Sequence, residues 1–267
     1  AELGAEGGAG DNRWAVWAAE PPDARVQVEE AGEGILPGAP VLVNGRKAWC
    51  SGAQIVSHGL VTTWCGDQRH LVAIAMAQRG VTVTDDGWCP VGMAATASVD
   101  VTFDDASGIL VGPAGAYLTR PGFWHGGAGI AACWWGGASR VAEYLLDHYR
   151  RRTDAHASAH LGAVDSALES GAATLREAAR QFDEHPRADA RASALRVRAH
   201  IEDVVERVLR HSGRALGATP FCRNRPFARL VADLPVFLRQ SHGERDLARL
   251  GEALAGHREN RPWRLSP

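Results

Sequence analysis

"NGRKAWCSGA", residues 44–53, lies between two runs that read as strands, and its meaning decides what kind of fold this chain has. It sets Arg46 and Lys47 ahead of Trp49, followed by Cys50, Ser51 and Gly52. One reading packs Trp49 into a core at a strand end and lets Ser51 and Gly52 make the turn. The other makes the indole, hydroxyl and glycine one wall of a cofactor site.

Working outward, residues 14 to about 118 carry short runs with β-branched enrichment and partial alternation: "VLVNGRKAW", "HGLVTTWC", "HLVAIAMA", "VTVT" and "SVDVTFDD". Strands at this spacing predict a β-sandwich or barrel-like domain. From Pro121 the period changes. "RVAEYLLDHYRRR" and the runs at 160–184, 188–217 and 225–240 place apolar residues three and four apart, as amphipathic helices do. Short polar breaks between long helices predict an antiparallel bundle. The expected class is therefore α+β, with a β-domain over residues 1–120 and a helical bundle over 121–267, divided at the turn signal "TRPG". Pro235 predicts a kink or helix start. "GFWHGGAGIAACWWGGAS" (122–139) is uncharged, but its glycines, tryptophans and His125 read as the bundle's central helix rather than a membrane span.

Composition narrows the function. The 267 residues carry a formal charge of −2, which argues against a polyanion-binding surface and hence against nucleic acid as a partner. Five cysteines with no CxxC pair fit a reducing, cytoplasmic setting. Cys50, Cys65, Cys89 and Cys133, beside Trp or small residues, read as buried and inert. His156 and His160, with Asp154 near, have a helical metal-ligand spacing, but a polar helix start accounts for them better and no metal is expected. Residues 1–12 are too rich in Gly and Ala to assign an element.

"WAVWAAEPP", "NGRKAWCSGA" and "GMAATASVDVTFDD" in this order, followed by a helical bundle, resemble the middle and C-terminal domains of the acyl-CoA dehydrogenase family. That family carries Thr-Glu-Pro, Lys-x-Trp-x-Thr/Ser and Arg-x-Ser-x-Thr motifs at the corresponding strands. The resemblance implies FAD bound between β-domain and bundle, an acyl-CoA or related small molecule as substrate, and a homo-oligomer, dimer or tetramer, in which a neighbour completes the dinucleotide site. It implies further that Ala18 and Ala19 offer backbone groups to the flavin ring, that Trp49 covers one face, and that Ser51 donates a hydrogen bond near the reactive ring nitrogen. Preorganised donors there would tune the cofactor, and an indole supplies a rigid wall. Arg152 and Gly213 fall where the family approaches the cofactor phosphates.

The chain departs from that pattern in places that matter. The family's Gly-x-Gly-Ser-Asp loop is "DARV" here, and its motif arginine is Ala94, although Thr96 and Ser98 keep hydroxyls. The Phe-Gly and Gln after Arg151 and Arg152 are missing, and the glycine-rich connection survives only as Gly213 and Gly217. No counterpart of the family's first helical domain precedes Trp14. The catalytic Glu position falls near Gln240 or Ser241, neither of which can act as a carboxylate base. Glu244, with Arg245 and Asp246, reads as a solvated helix face, and His242 could act as a base at neutral pH, although a lone His on a helix reads more readily as structural. Three readings stand at this point: an acyl-CoA dehydrogenase-like flavoprotein, a flavin-dependent monooxygenase of the same fold, and a non-catalytic member acting as a structural or binding protein.

Overall fold

The structure is a computed structural model that describes residues 12–29 and 36–256. The Gly- and Ala-rich start, residues 1–11, lies outside the described residues. The chain divides into two compact units, Ala1–Arg120 and Pro121–Pro267.

The first unit is a seven-stranded sheet. Its strands are β1 (Trp14–Trp17), β2 (Val26–Glu29), β3 (Pro40–Cys50), β4 (His58–Cys65), β5 (Gln68–Ala75), β6 (Val81–Val83) and β7 (Val99–Leu110). Pairing runs β4–β2–β3–β7–β5 and returns from β5 to β4, so five strands close on themselves as a small barrel. Parallel β1 extends the sheet beside β4, and β6 pairs with β7. The barrel resolves the sandwich-or-barrel alternative. Valines explain it: Val26, Val43, Val61, Val72 and Val101 are each fully buried inside, and each such side chain contributes roughly 1.5–3 kcal/mol. β-Branched residues at alternate positions both favour the extended backbone and fill a narrow interior. β1 and β2, only four residues each, were too short to stand out as periodic runs. A short helix, α1 (Ala116–Thr119), ends the unit.

The second unit is helical: α2 (Pro121–Arg151), α3 (Ala155–Glu184), α4 (Arg191–Leu216), α5 (Ala218–Arg223), α6 (Arg225–Leu238) and α7 (Glu244–Gly256). α2 packs on α3, α4 and α6. Its buried stripe, Ala128, Ala131, Trp134, Ala138, Val141 and Leu145, repeats at three and four residues. Small residues set the spacing. A Cβ at Gly171 of α3 would lie 3.0 Å from the Trp135 ring of α2 and 3.1 Å from Ile201 of α4. Buried Arg198 on α4 crosses the bundle, donating to the carbonyls of Gly127 (2.9 Å) and Gln240 (2.7 Å). Asp154 caps α3 by accepting from the Ala157 amide at 2.8 Å. α6 runs through Pro235 to Leu238 instead of breaking there. The proline stands in the last turn, where the helix has little left to disrupt. Among the described residues, no helix is long and apolar enough to cross a membrane.

Candidate functional site

The opening stretch becomes a built feature at the end of β3. The register against β7 shifts between Lys47 and Cys50. This irregularity turns Trp49 into the left-handed region, φ 58°, with its side chain 49% exposed. Trp49 is thus not a core residue, although Ser51 and Gly52 do stand in a turn, as the plain reading had them. Buried Trp17 sits behind it and donates from Nε1 to the Ser51 carbonyl at 3.2 Å. The Gly52 amide donates to the Thr96 carbonyl at 3.0 Å, joining the end of β3 to the segment before β7. That segment holds two more non-glycine residues in the left-handed region, Met93 (φ 58°) and Ala97 (φ 41°). Three of the four such residues described in the chain therefore meet at one place. Backbone held in sparsely populated conformations costs of order 1–3 kcal/mol each and collects at functional sites.

Inside this frame the hydroxyls noticed in the sequence come together. Ser51 Oγ lies 2.7 Å from Ser98 Oγ, and Ser98 Oγ lies 2.9 Å from Thr96 Oγ1. Thr96 donates to the Met93 carbonyl at 2.8 Å. Each hydroxyl has one hydrogen. Thr96 spends its hydrogen on Met93, so Ser98 must donate to Thr96 and Ser51 must donate to Ser98. The chain runs one way, from exposed Ser51 through buried Ser98 to half-buried Thr96 and Met93. Ser51 consequently shows lone pairs outward, where the family resemblance had it donate.

Ala18 is half-buried and Ala19 exposed, immediately after β1. Next to them Glu20 enters the barrel. Its carboxylate is 3.4 Å from Lys47 Nζ and 2.7 Å from Arg69 Nη2. Lys47 is fully buried and also donates to Thr62 Oγ1 (2.6 Å) and the Thr62 carbonyl (2.9 Å). Burial pushes the Lys47 ammonium below its ordinary pKa, and the Glu20 charge opposes that shift. The segments carrying Ala18–Ala19 and Trp49–Ser51 are each anchored by one member of this pair. The sequence signal for it, a Glu and a Lys in two separate motifs, could not show that they touch.

In the helical unit, the ends of α2 and α4 and the short helix α5 line an open pocket of about 670 Å³. Arg151, Arg152, Arg214, Arg223 and His148 line it, with Asp154 the one carboxylate. Arg152, which the resemblance implied for the cofactor phosphates, lies in this basic pocket. Gly217, φ 62°, also lines the pocket, whereas Gly213 lies within α4 with the Phe221 ring over it. Arg214 and Arg223 were missed, because only the packing of α4 and α5 brings them to Arg152.

At the position of the family's base, Gln240 gives its carbonyl to Arg198. Glu244 is exposed, while Asp246 is buried and accepts from the His242 amide at 3.2 Å. Asp246 is therefore no part of a solvated face. His156 is exposed, and His160 meets His211 of α4 with Nδ1 atoms 3.0 Å apart. No group of three or more His, Cys, Asp or Glu that could hold a metal ion occurs among the described residues. Of the cysteines expected to be buried, Cys50 is, Cys65 is half-buried, and Cys89 and Cys133 are exposed. Cys133 lies on the face of α2 opposite its apolar stripe.

No protein-family model and no curated protein sequence matches the chain. Solved structures do. KijD3, in complex with dTDP, superposes with a TM-score of 0.78 at 21% identity over 92% of this chain and 67% of that one. TdsC from Paenibacillus, with FMN and indole, gives 0.77 at 20% over 94% and 72%. A Mycobacterium smegmatis protein named as an acyl-CoA dehydrogenase gives 0.78 at 13% over 91% and 68%. These superpositions span both units' share of the chain, over nine-tenths of its length, and the chain has the acyl-CoA dehydrogenase-like fold.

Proposed function

We propose that this chain binds a flavin and acts as a flavin-dependent monooxygenase. The observation that carries the reading is the Ser51–Ser98–Thr96 chain, two residues along from the exposed Trp49 indole and framed by three left-handed residues. A hydroxyl at the end of a fixed hydrogen-bond chain, beside a flat apolar wall, suits the polar edge and face of an isoalloxazine. The basic pocket of the helical unit is read separately, as an anion site for a phosphate. When bound, the flavin supplies the redox chemistry. The protein's part is to hold the ring edge and exclude water.

The oxygenase reading is favoured over acyl-thioester dehydrogenation by the segment at 240–246. Gln240 and Ser241 cannot take a proton from carbon, Glu244 faces solvent, Asp246 is committed to the start of α7, and exposed His242 is paired with Asp246, Nδ1 3.5 Å from Oδ1. FMN is proposed in preference to FAD. The Phe-Gly and Gln positions are lost and Gly213 is inside a helix, so the features expected for a second phosphate are lacking. KijD3 and TdsC have both been solved with FMN. Second copies of the chain are proposed to pair through the exposed small residues of α2, among them Gly126, Gly129 and Gly136. The acyl-CoA substrate implied by the resemblance gives way here to a small cyclic molecule.

The test is to titrate FMN, and separately FAD, into the purified protein and follow the flavin absorption band. Reduced FMN and oxygen are then supplied with an aromatic heterocycle such as indole, and oxygenated product is sought. A band shift with FMN and oxygen-dependent product support the proposal. No uptake of either flavin refutes it, and uptake with acyl-CoA oxidation instead favours the dehydrogenase reading.

A further inference from the structure

We propose that buried Ser98 and half-buried Thr96 are positioning residues that fix Ser51 as an outward hydrogen-bond acceptor, so that the site selects reduced over oxidised flavin. This rests on the flavin reading above. The direction of the chain follows from proton counting. Met93 O can only accept, and Thr96 Oγ1 lies 2.8 Å from it. Turning the Thr96 hydrogen away would leave two oxygens in contact with no proton between them. Thr96 therefore has no hydrogen left for Ser98, and Ser98 none left for Ser51.

The frame around the chain resists reversal. The Met93 carbonyl is held by the Thr96 amide at 3.1 Å and by Trp88 Nε1 at 3.2 Å. Ser51 is held through its own carbonyl by Trp17 and through the neighbouring Gly52 amide by Thr96 O. Oxidised flavin presents a bare ring nitrogen at its reactive edge and asks for a donor. Reduced flavin carries a hydrogen there and asks for an acceptor. An Oγ whose only hydrogen is committed inward matches the second, and meets the first with lone pair against lone pair.

Anaerobic titration of the flavin-free protein with reduced and with oxidised FMN reads the proposal directly, without turnover. Wild type is expected to bind reduced FMN at least tenfold more tightly, equivalent to raising the bound flavin's two-electron potential by about 30 mV. Ser98→Ala releases the Ser51 hydrogen, and Thr96→Val releases that of Ser98. In both, the ratio should collapse to within about threefold of unity by the hydrogen-bond count. Loss of packing alone would weaken both forms equally and leave the ratio unchanged. Melting curves confirm that each variant is folded, and Thr96→Val keeps the side-chain shape should Ser98→Ala prove unstable. A wild-type ratio near unity, or variants that keep the wild-type ratio, overturns the proposal while the flavin reading stands. Binding of neither form overturns both.

Discussion

Lys47→Met is the most informative perturbation of the barrel. The substitution keeps most of the side chain's volume and removes a fully buried ammonium. Three interactions go with it: hydrogen bonds to Thr62 Oγ1 and the Thr62 carbonyl, and the ion pair with Glu20. Breaking one side of a buried pair typically costs 3–5 kcal/mol, because the other charge stays behind unmatched. Glu20 keeps Arg69 at 2.7 Å, so the lower end applies, about 3 kcal/mol. For a unit of this size that is a fall of roughly 10 °C in melting temperature. The double variant Glu20→Gln/Lys47→Met removes both charges and should recover part of the loss, with a coupling of about 1–3 kcal/mol. The pH dependence has a definite sign. Burial lowers the folded-state pKa of Lys47 below its ordinary 10.5, so between the two values the unfolded chain binds more protons. Stability from this group therefore rises with pH across that alkaline window, and Lys47→Met should abolish the rise. Urea unfolding of the four proteins, wild type, two singles and the double, measures all of this. A cost below about 1 kcal/mol for Lys47→Met, where a broken buried pair demands several, would refute the reasoning, as would strictly additive singles.

Trp49→Gly should leave the melting temperature within a few degrees of wild type or raise it, since it relieves a left-handed tryptophan costing about 1 kcal/mol. The same variant should bind FMN about tenfold more weakly if the indole covers the ring, a loss of about 1.4 kcal/mol measured by absorption titration. Arg152→Gln and Arg214→Gln should weaken binding of inorganic phosphate to the pocket of the helical unit by about 1.5–3 kcal/mol, the range for a charged hydrogen bond. Unchanged phosphate binding in both variants, measured by calorimetry, would count against an anion site there. In the native protein at pH 8, a thiol reagent should label exposed Cys89 and Cys222 rapidly. Cys50, its thiol pushed up to about 12 by burial with Lys47 opposing, should stay unlabelled until the protein is denatured. Fast labelling of Cys50, located by mass spectrometry, would show that the barrel end opens.

Much of the fold was legible in the residues themselves. The run "HGLVTTWC" is β4 to the residue, and the apolar periods of 160–184 and 188–217 are α3 and α4 within a few residues. Hydrophobic period is a local property, so it survives in one dimension. Arg152 in a basic pocket and the hydroxyls of Ser51, Thr96 and Ser98 were likewise visible as residue types at motif positions. What they do was not visible. That Ser51 donates inward rather than outward depends on Met93 O, forty-two positions away in sequence, accepting the last hydrogen of the chain. The exposure of Trp49 depends on a register shift against β7, and residue type alone favours burying an indole. Glu20 meets Lys47, and Arg214 lines one pocket with Arg152, only because separate elements close in space. Local pattern decides which segments are strands and helices, since it fixes which face must leave water. Hydrogen-bond direction, buried pairing and exposure depend on partners from distant segments, and only the folded arrangement supplies those.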